Sequence, residues 1–254
     1  MASLRPGKLY SMKKILILSL LVVASQTKTI AQFISKGSIE FEKRTNQHAL
    51  LDDNSIWDAA AKKTIPQFVT SYFELKFDRN HTFYKPGREP DTKQNSFWGL
   101  LDIENQIATD LDSNTYVNAK TMEGGTYLFS GKNRDIQWKI GSETRTIAGF
   151  ECRKAVGRIM DTVVVVAFYT DEIIPSGGPE SFNGLPGMIL GIAIPRLHST
   201  WYATKLQLTE VSATELAAPK KGKKVEVADF QKQMKSLLEN AGANKGNMAI
   251  QLAL

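Results

Sequence analysis

The sequence contains few of the residues on which covalent or metal-based chemistry depends. Its 254 residues include a single cysteine, Cys152, and three histidines. One cysteine cannot form a disulfide within the chain, so an exported protein of this sequence would depend on burial alone for its stability. Cys152 lies in a strand-like pattern, which favours a small buried hydrophobic residue over a reactive thiol.

Recognised catalytic motifs are also absent from the sequence. It has no HExxH, CxxC or GxSxG pattern, no phosphate loop and no GxGxxG. His48, His81 and His198 are scattered without a second ligand at a suitable spacing, so neither a metal site nor a cofactor is predicted. Residues 110–114 offer carboxylate oxygens but lack the glycine and the distal glutamate of an EF-hand loop.

The N-terminus has the pattern of a secretory signal peptide. Two lysines at 13–14 precede the apolar run 15–24, and the small residues Thr29 and Ala31 lie at −3 and −1 before a predicted cleavage after Ala31. The run is much shorter than the roughly 20 apolar residues that a membrane-spanning helix needs. We therefore expect an exported protein, periplasmic or secreted, with no stable membrane span after cleavage and with residues 1–11 as an upstream extension.

The net charge gives no reason to expect a nucleic-acid partner. The predicted signal peptide contains five basic residues and no acidic residue. The formal charge of +6 for the whole chain therefore falls to +1 for residues 32–254. A nearly neutral chain lacks the excess of basic residues with which proteins bind nucleic acid.

Alternation of apolar and polar residues predicts a mainly β fold. Residues 33–45 and 68–78 have this period-two pattern, and a turn at 79–80 is predicted to lead into a hairpin with residues 82–84. Turn residues separate the segments that follow at intervals typical of antiparallel strands. These further strands are predicted at 107–111, 115–121, 127–130, 135–140, 150–157, 163–169 and 188–194.

Two segments have helical patterns. Residues 55–64 are alanine-rich and predict a short helix that is capped by Asn54 or Ser55 and ended by Pro66. In residues 225–242 the apolar residues recur at helical spacing, which predicts an amphipathic helix.

Strand and helix patterns together predict the architecture. Six consecutive apolar residues at 163–168 imply that both faces of their strand are covered, and the C-terminal helix is the candidate cover. We expect a strongly curved antiparallel sheet or half-barrel, mainly β with a minor α component. The predicted order is a signal peptide in 1–31, a β domain in 32–218, and a basic linker with the amphipathic helix in 219–254.

Residues 174–187, called the Gly-Pro loop below, have the most unusual composition in the chain. They join the strands predicted at 163–169 and 188–194, and residues 185–188 match the pattern of a type II turn. Such a rigid loop fits two roles, the lining of a ligand mouth or a simple crossing of one end of the sheet. The candidate ligand or partner residues are Tyr169, Pro175, Gly178, Pro179, Phe182, Gly184, Leu185, Pro186 and Gly187.

The same region resembles the GLPGLI family, which is named after its motif. The run GLPGMIL at 184–190 is similar to that motif, with Met188 in place of leucine, and residues 167–187 and 147–155 match further family patterns. The resemblance is specific over residues 135–195. It implies a secreted or periplasmic protein of Gram-negative bacteria, of a kind often found beside TonB-dependent outer-membrane transport systems. It implies no established activity and supplies no catalytic residues.

These observations favour a non-catalytic binding or accessory protein of the cell envelope. It would hold an apolar ligand or a protein partner near the Gly-Pro loop, and the partner would belong to the envelope or to an outer-membrane transport system. An envelope hydrolase that uses Asp171, Glu172 or Cys152 is one alternative, and a metal-handling protein that uses Met and His is another. A hollow interior beside the GLPG turn would favour a carrier, and a packed interior would favour a protein-binding module.

Overall fold

Twelve strands hydrogen-bond side by side into one sheet. They belong to the part of the chain that the computed structural model describes, residues 33–51, 55–91, 104–122, 125–230, 232 and 245–254. The predicted signal peptide, with its cleavage after Ala31, lies outside these residues.

The sheet is antiparallel apart from one pair of strands. In chain order the strands are β1 (Gly37–Asn46), β2 (Phe68–Phe77), β3 (His81–Pro86), β4 (Glu104–Asp110), β5 (Thr115–Met122), β6 (Gly125–Lys132), β7 (Lys139–Ile147), β8 (Phe150–Ile159), β9 (Val163–Thr170), β10 (Met188–Ile194), β11 (Ser199–Gln207) and β12 (Lys223–Lys224). Their side-by-side order is β12-β6-β5-β4-β3-β2-β1-β11-β10-β9-β8-β7, with β12 parallel to β6. The first strand therefore lies in the middle of the sheet, between β2 and β11.

The mainly β prediction is confirmed, and one predicted strand is displaced. Residues 135–140 were expected to form a strand, but β7 begins at Lys139. The displacement has a packing cause, because Ile136 and Trp138 lie across Gly157 of β8 where a Cβ atom would have no room. Trp138 lies just before β7, outside the sheet, and its Nε1 donates to the carbonyl oxygen of Asn183 at 2.9 Å.

Two short α-helices lie wholly within the described residues. Helix α1 (Ile56–Ala61) begins as predicted, because the Ser55 hydroxyl caps it by accepting from the backbone N–H of Asp58 at 3.2 Å. Helix α2 (Lys245–Ala253) lies where no pattern was found in the sequence. The helix predicted at 225–242 is present at residues 227–230 and lies mostly outside the described residues. Among the helices that the structure describes, none is long and apolar enough to cross a membrane.

One face of the sheet, called the inner face below, carries a row of directly paired side chains. The row crosses six strands, from β1 through β2, β3, β4 and β5 to β6, and its members are Ile39, Leu75, Tyr84, Ile107, Asn118 and Phe129. All six are buried. Because side chains alternate between faces, Lys43 and Lys120 lie on this same face. The row is apolar in the middle of the sheet and becomes polar at β5.

The half-barrel prediction is wrong, because the sheet is neither closed nor strongly curled. Its two edges, β12 and β7, are the first and last strands of the order and do not pair with each other. The inner face obtains its cover in another way. Phe182 and Leu185 of the Gly-Pro loop, together with Ile250 and Leu254 near the C-terminus, are buried in a hydrophobic cluster with residues of β8–β11. With that cover, the sheet can bury this face without wrapping around itself.

The expectation that both faces of the strand at 163–168 are covered is also wrong. Val163, Val165 and Ala167 of β9 are buried on the inner face, whereas Val164 is 39% exposed on the other face. The aromatic side chain that follows the basic linker, Phe230, packs instead against Tyr127 and Phe129 of β6. The run of valines therefore reflects strand propensity as well as burial.

The GLPG turn differs from the predicted type II turn. In such a turn the N–H of Met188 would donate to the carbonyl oxygen of Leu185. In the structure it donates to the carbonyl oxygen of Ile173 at 3.1 Å. The carbonyl of Leu185 accepts instead from the N–H of Gly187, at 2.8 Å, in a tighter turn around Pro186. Gly187 does have the positive φ that was expected, at 134°.

We predict that Gly187→Ala destabilises the protein far more than Gly149→Ala. Both glycines have positive φ, but a Cβ atom at 187 would collide with the carbonyl oxygen of Thr170, whereas nothing lies within 4 Å of one at 149. Gly149→Ala should cost about 1–2 kcal/mol for the backbone conformation, and Gly187→Ala more than about 3 kcal/mol. Urea unfolding curves measure both losses, and equal losses would contradict the close packing described.

Candidate ligand-binding site

A cavity of about 480 Å³ lies over the β5–β6 end of the inner face. We call it the cationic cavity, and its principal lining residues are Tyr116, Asn118, Lys120, Phe129, Arg134 and Phe230. Ser181 of the Gly-Pro loop and Leu252 of α2 also line it. Its volume is within the range of about 300–1,000 Å³ that is usual for small-molecule sites.

Strand alternation places two polar side chains of the cavity on the covered face. Asn118 and Lys120 are two residues apart in β5, so both point to the same side. Their cross-strand partners in β6 are Phe129 and Tyr127, the two rings that Phe230 contacts at centroid distances of 4.9 and 5.6 Å. Lys120 is also the direct partner of Asn105 in β4. One wall of the cavity is therefore aromatic, formed on β6 and by Phe230, and the adjoining wall on β5 is polar.

Lys120 is 3% exposed and donates from Nζ to the carbonyl oxygen of Leu252 at 3.1 Å. Burial lowers the pKa of Lys120 to about 8, because a charged ammonium loses its hydration in the interior. Glu180 opposes this shift, and the nearby cations Arg134 and Lys43 add to it. Part of the Lys120 population is therefore neutral at mildly alkaline pH.

Arg134 connects the C-terminal residues to the Gly-Pro loop. Its Nη1 donates to the carbonyl oxygen of Glu180 at 3.2 Å. Its Nη2 donates to the carbonyl oxygen of Ala253 at 2.5 Å and to an oxygen of Leu254, the last residue of the printed sequence, at 3.1 Å. The guanidinium also lies 5.5 Å from the ring centroid of Phe182. Burial lowers the pKa of Arg134 from its usual value, but an arginine remains charged throughout the accessible pH range.

The carboxylate of Glu180 reaches from the loop to the inner face. It accepts from Asn105 Nδ2 at 2.6 Å and, more weakly, from the Tyr84 hydroxyl at 3.4 Å. Burial and the charge of Glu180 raise the pKa of Tyr84 well above its usual value, so this phenol stays protonated and able to donate. Glu180 and Ser181 both have left-handed backbones, with φ of 52° and 60°. Each costs about 1–2 kcal/mol for a residue other than glycine, which the side-chain contacts of Glu180 help to offset.

The polar groups of this region are not balanced in charge. Lys43, Lys120 and Arg134 all interact with Glu180, the single carboxylate among these four side chains. Asn118 donates to Asn105 Oδ1 at 3.2 Å, while its own Oδ1 is buried without a hydrogen-bond partner in the described part of the chain. An excess of buried positive charge is costly unless an anion compensates it.

The structure packs most of the predicted site residues into the protein interior. Tyr169, Pro175, Gly178, Pro179, Phe182, Leu185 and Gly187 are buried, and Gly184 and Pro186 are exposed. None of these nine residues lines the cationic cavity, to which the loop contributes Ser181. Gly178 is extended, at φ 176°, and its site is tight, since a Cβ atom there would lie 2.8 Å from the Cβ of Ile189. The interior beside the GLPG turn is therefore packed, and the hollow space lies farther along the inner face.

The residues predicted from the sequence did not include Lys120, Arg134 or Glu180. One local indication was available for Lys120, because it is a charged residue at a core-facing position of an alternating strand, which is uncommon. Arg134 and Glu180 lie outside the strands, so no periodicity marks them.

The residues of the two alternative hypotheses lie apart from the cavity. Cys152 is fully buried, and burial raises the pKa of its thiol to about 11, which opposes thiolate chemistry. Asp171 and Glu172 are exposed and do not line the cavity. Within the described ranges, no group of three or more His, Cys, Asp and Glu side chains is placed to hold a metal ion.

We predict that the Cys152 thiol does not react in the folded protein. The native protein should resist a disulfide reagent such as dithionitrobenzoate at pH 8, because the thiol is buried and almost wholly protonated. The same protein in guanidinium chloride should release one equivalent of thionitrobenzoate. Rapid labelling without denaturant would contradict the burial of Cys152.

We predict that Lys120 makes the stability of the protein depend on pH. Its pKa is lower in the folded state than the usual 10.5, so between about pH 8 and 10.5 the unfolded chain binds more protons at this site. The contribution of Lys120 to the free energy of unfolding should therefore rise across this window, by up to roughly 3 kcal/mol. The measurement is urea unfolding at pH 7 and pH 10, compared between the wild type and Lys120→Met. An identical pH dependence in both proteins would contradict the shifted pKa.

Comparison with known proteins identifies a fold relative. The chain is similar to the structures of PNGF-II in space groups C2 and P21, each with a TM-score of 0.52, at 13% and 14% sequence identity. Each alignment covers 79% of this chain and 33% of the PNGF-II chain, so this chain spans about a third of that protein's length. At such low identity the likeness extends to the fold alone. No curated protein matches the chain in sequence.

A family model matches the segment that contains the Gly-Pro loop. It is described as "Protein of unknown function (Porph_ging)" and matches residues 157–191, from β8 to β10. The segment agrees with the region in which the sequence resembles the GLPGLI family. This segment of the chain matches the Porph_ging family, also known as the GLPGLI family, whose function is unknown.

Proposed function

We propose that this protein is a non-catalytic binding protein that holds an apolar ligand in the cationic cavity. The observation that carries the proposal is the cavity of about 480 Å³, bordered by Phe129, Phe230 and Leu252 and placed beside the Gly-Pro loop. Cavities with aromatic and aliphatic walls and a few convergent polar groups are typical of ligand sites.

The cavity modifies the role that the sequence suggested for the Gly-Pro loop. In this proposal the loop is a rigid support, because Phe182 and Leu185 are anchored in the core and Glu180 is bonded to Asn105. The loop presents Ser181 to the ligand and holds Arg134 through the carbonyl of Glu180. The eight loop residues predicted to touch the ligand, and Tyr169 of β9, would then act mainly by fixing this support.

The proposed cellular setting is the envelope of a Gram-negative bacterium, in the periplasm or outside the cell. Its support is the signal-peptide pattern at the N-terminus and the match of residues 157–191 to the GLPGLI family. A partner in an outer-membrane transport system is part of the same proposal. Strand β7 offers such a partner an accessible edge, because eight of its nine residues are exposed and it pairs with β8 alone in the sheet.

The hydrolase alternative has less support than the binding proposal. The raised pKa of Cys152 opposes a thiol mechanism, and the exposed Asp171 and Glu172 do not line the cavity. The likeness to PNGF-II concerns the fold and brings no activity to this chain.

We predict that the protein binds the neutral apolar dye N-phenyl-1-naphthylamine in the cationic cavity. The expected result is an increase in fluorescence that saturates at one dye per chain. Ala249→Trp should weaken binding at least about tenfold, because Ala249 lines the cavity and an indole there would fill it.

The matched control is Ala213→Trp, which adds the same side chain at an exposed turn and should leave dye binding unchanged. Thermal unfolding of both variants confirms that they are folded. Absence of saturable binding to the wild type, or equal binding by the two variants, would refute the proposed function.

A further inference from the structure

We infer that the ligand of the cationic cavity is a single-chain amphiphile whose terminal oxyanion lies between Lys120 and Arg134. The inference rests on the proposed function and narrows the ligand class. It follows from the placement of charge, the unused hydrogen-bond donors and the polar and aromatic walls of the cavity.

The charge of the cavity wall favours an anion. Lys120 and Arg134 both line the cavity, and the side-chain carboxylate that interacts with both, that of Glu180, is already bonded to Asn105 and Tyr84. Lys43 adds a third cation on the same face of the sheet. A cationic ligand would be repelled, and a neutral ligand would leave the excess charge uncompensated. An oxyanion would compensate it.

Lys120 and Arg134 both retain hydrogen-bond donors that the described residues do not use. An ammonium has three N–H donors, and the described residues accept one from Lys120, through Leu252. A guanidinium has five, and the described residues accept three from Arg134, through Glu180, Ala253 and Leu254. Hydrogen bonds from such charged donors to a carboxylate or a phosphate are about twice as strong as neutral ones.

The walls of the cavity differ in polarity. Arg134 lies against the Gly-Pro loop, and Lys120 interacts electrostatically with Glu180 of that loop. Phe230 lies over Tyr127 and Phe129 of β6, which are the direct cross-strand partners of Lys120 and Asn118. An amphiphile fits these adjoining polar and aromatic walls, with its head group at Lys120 and Arg134 and its hydrocarbon chain against the aromatic rings.

Displacement of the bound dye by a series of C12 amphiphiles tests the inference. The series consists of dodecanoate, dodecyl phosphate, dodecanol and dodecyltrimethylammonium at pH 7, each below its micelle concentration. We expect at least one of the two anions to displace the dye at a concentration at least about tenfold lower than dodecanol does, which corresponds to one charge-assisted hydrogen bond or more. The trimethylammonium compound should be the weakest. If dodecanoate displaces the dye at a lower concentration than dodecyl phosphate does, the ligand is a carboxylate. The opposite order indicates a phosphate ester.

Two substitutions locate the head group. Lys120→Met and Arg134→Met should each remove most of the preference for the anions over dodecanol, measured as the ratio of the displacing concentrations within each variant. Lys205→Met, which makes the same change at an exposed position of β11, is the control and should retain the preference.

The results separate this inference from the proposed function. If the dye binds but dodecanol competes as well as the anions, the inference is wrong and the proposed function stands. The inference also fails if the anion preference survives in both cavity variants. The head-group series on the wild type is decisive by itself, so the test does not depend on the variants folding. A wild-type protein that binds no dye would instead refute the proposed function.

Discussion

The buried carboxylate of Glu180 holds the Gly-Pro loop against the inner face of the sheet. It bonds to Asn105 of β4 and Tyr84 of β3, and it attracts Lys43, Lys120 and Arg134. The main chain at Glu180 takes a left-handed conformation that a non-glycine residue adopts at a cost. The loop can keep this conformation because contacts with the sheet and with Arg134 over-determine it.

The cationic cavity depends on the same arrangement. Glu180 is the only carboxylate among the buried charged side chains described around the cavity. It does not neutralise both Lys120 and Arg134, and the remaining positive charge lies at the wall of the cavity. The loop leaves that space open, since its own bulky residues, Phe182 and Leu185, are buried in the cluster over β8–β11. The hollow part of the molecule is therefore displaced from the GLPG motif towards β5 and β6. A motif of the family thus has a structural role beside a site that the motif itself does not line.

Local patterns were sufficient for most of the strands and for the cap of α1. Strand β10 has the predicted bounds, and Ser55 caps α1 as expected, because both depend on neighbouring residues. The prediction failed where distant residues decide the outcome. Ile136 and Trp138 have a strand-like pattern, but they pack over Gly157 and the strand begins later. A tighter turn forms in place of the predicted type II turn, because the N–H of Met188 donates to the carbonyl oxygen of Ile173.

The sequence by itself determined the class of fold, most of its strands and the position of the rigid loop. Those properties arise from period-two alternation and from turn residues, which act over a few neighbours along the chain. The order of the strands, the open shape of the sheet and the cavity were decided by tertiary structure. Arg134 lies 14 residues after Lys120, and Glu180 lies 46 residues after Arg134. Neither Arg134 nor Glu180 has an unusual local context in the sequence. These three residues come together only because β5, the segment after β6 and the loop between β9 and β10 all lie at the same face of the sheet. Alternation predicts which side chains of a strand share a face, but it does not predict which other segments cover that face.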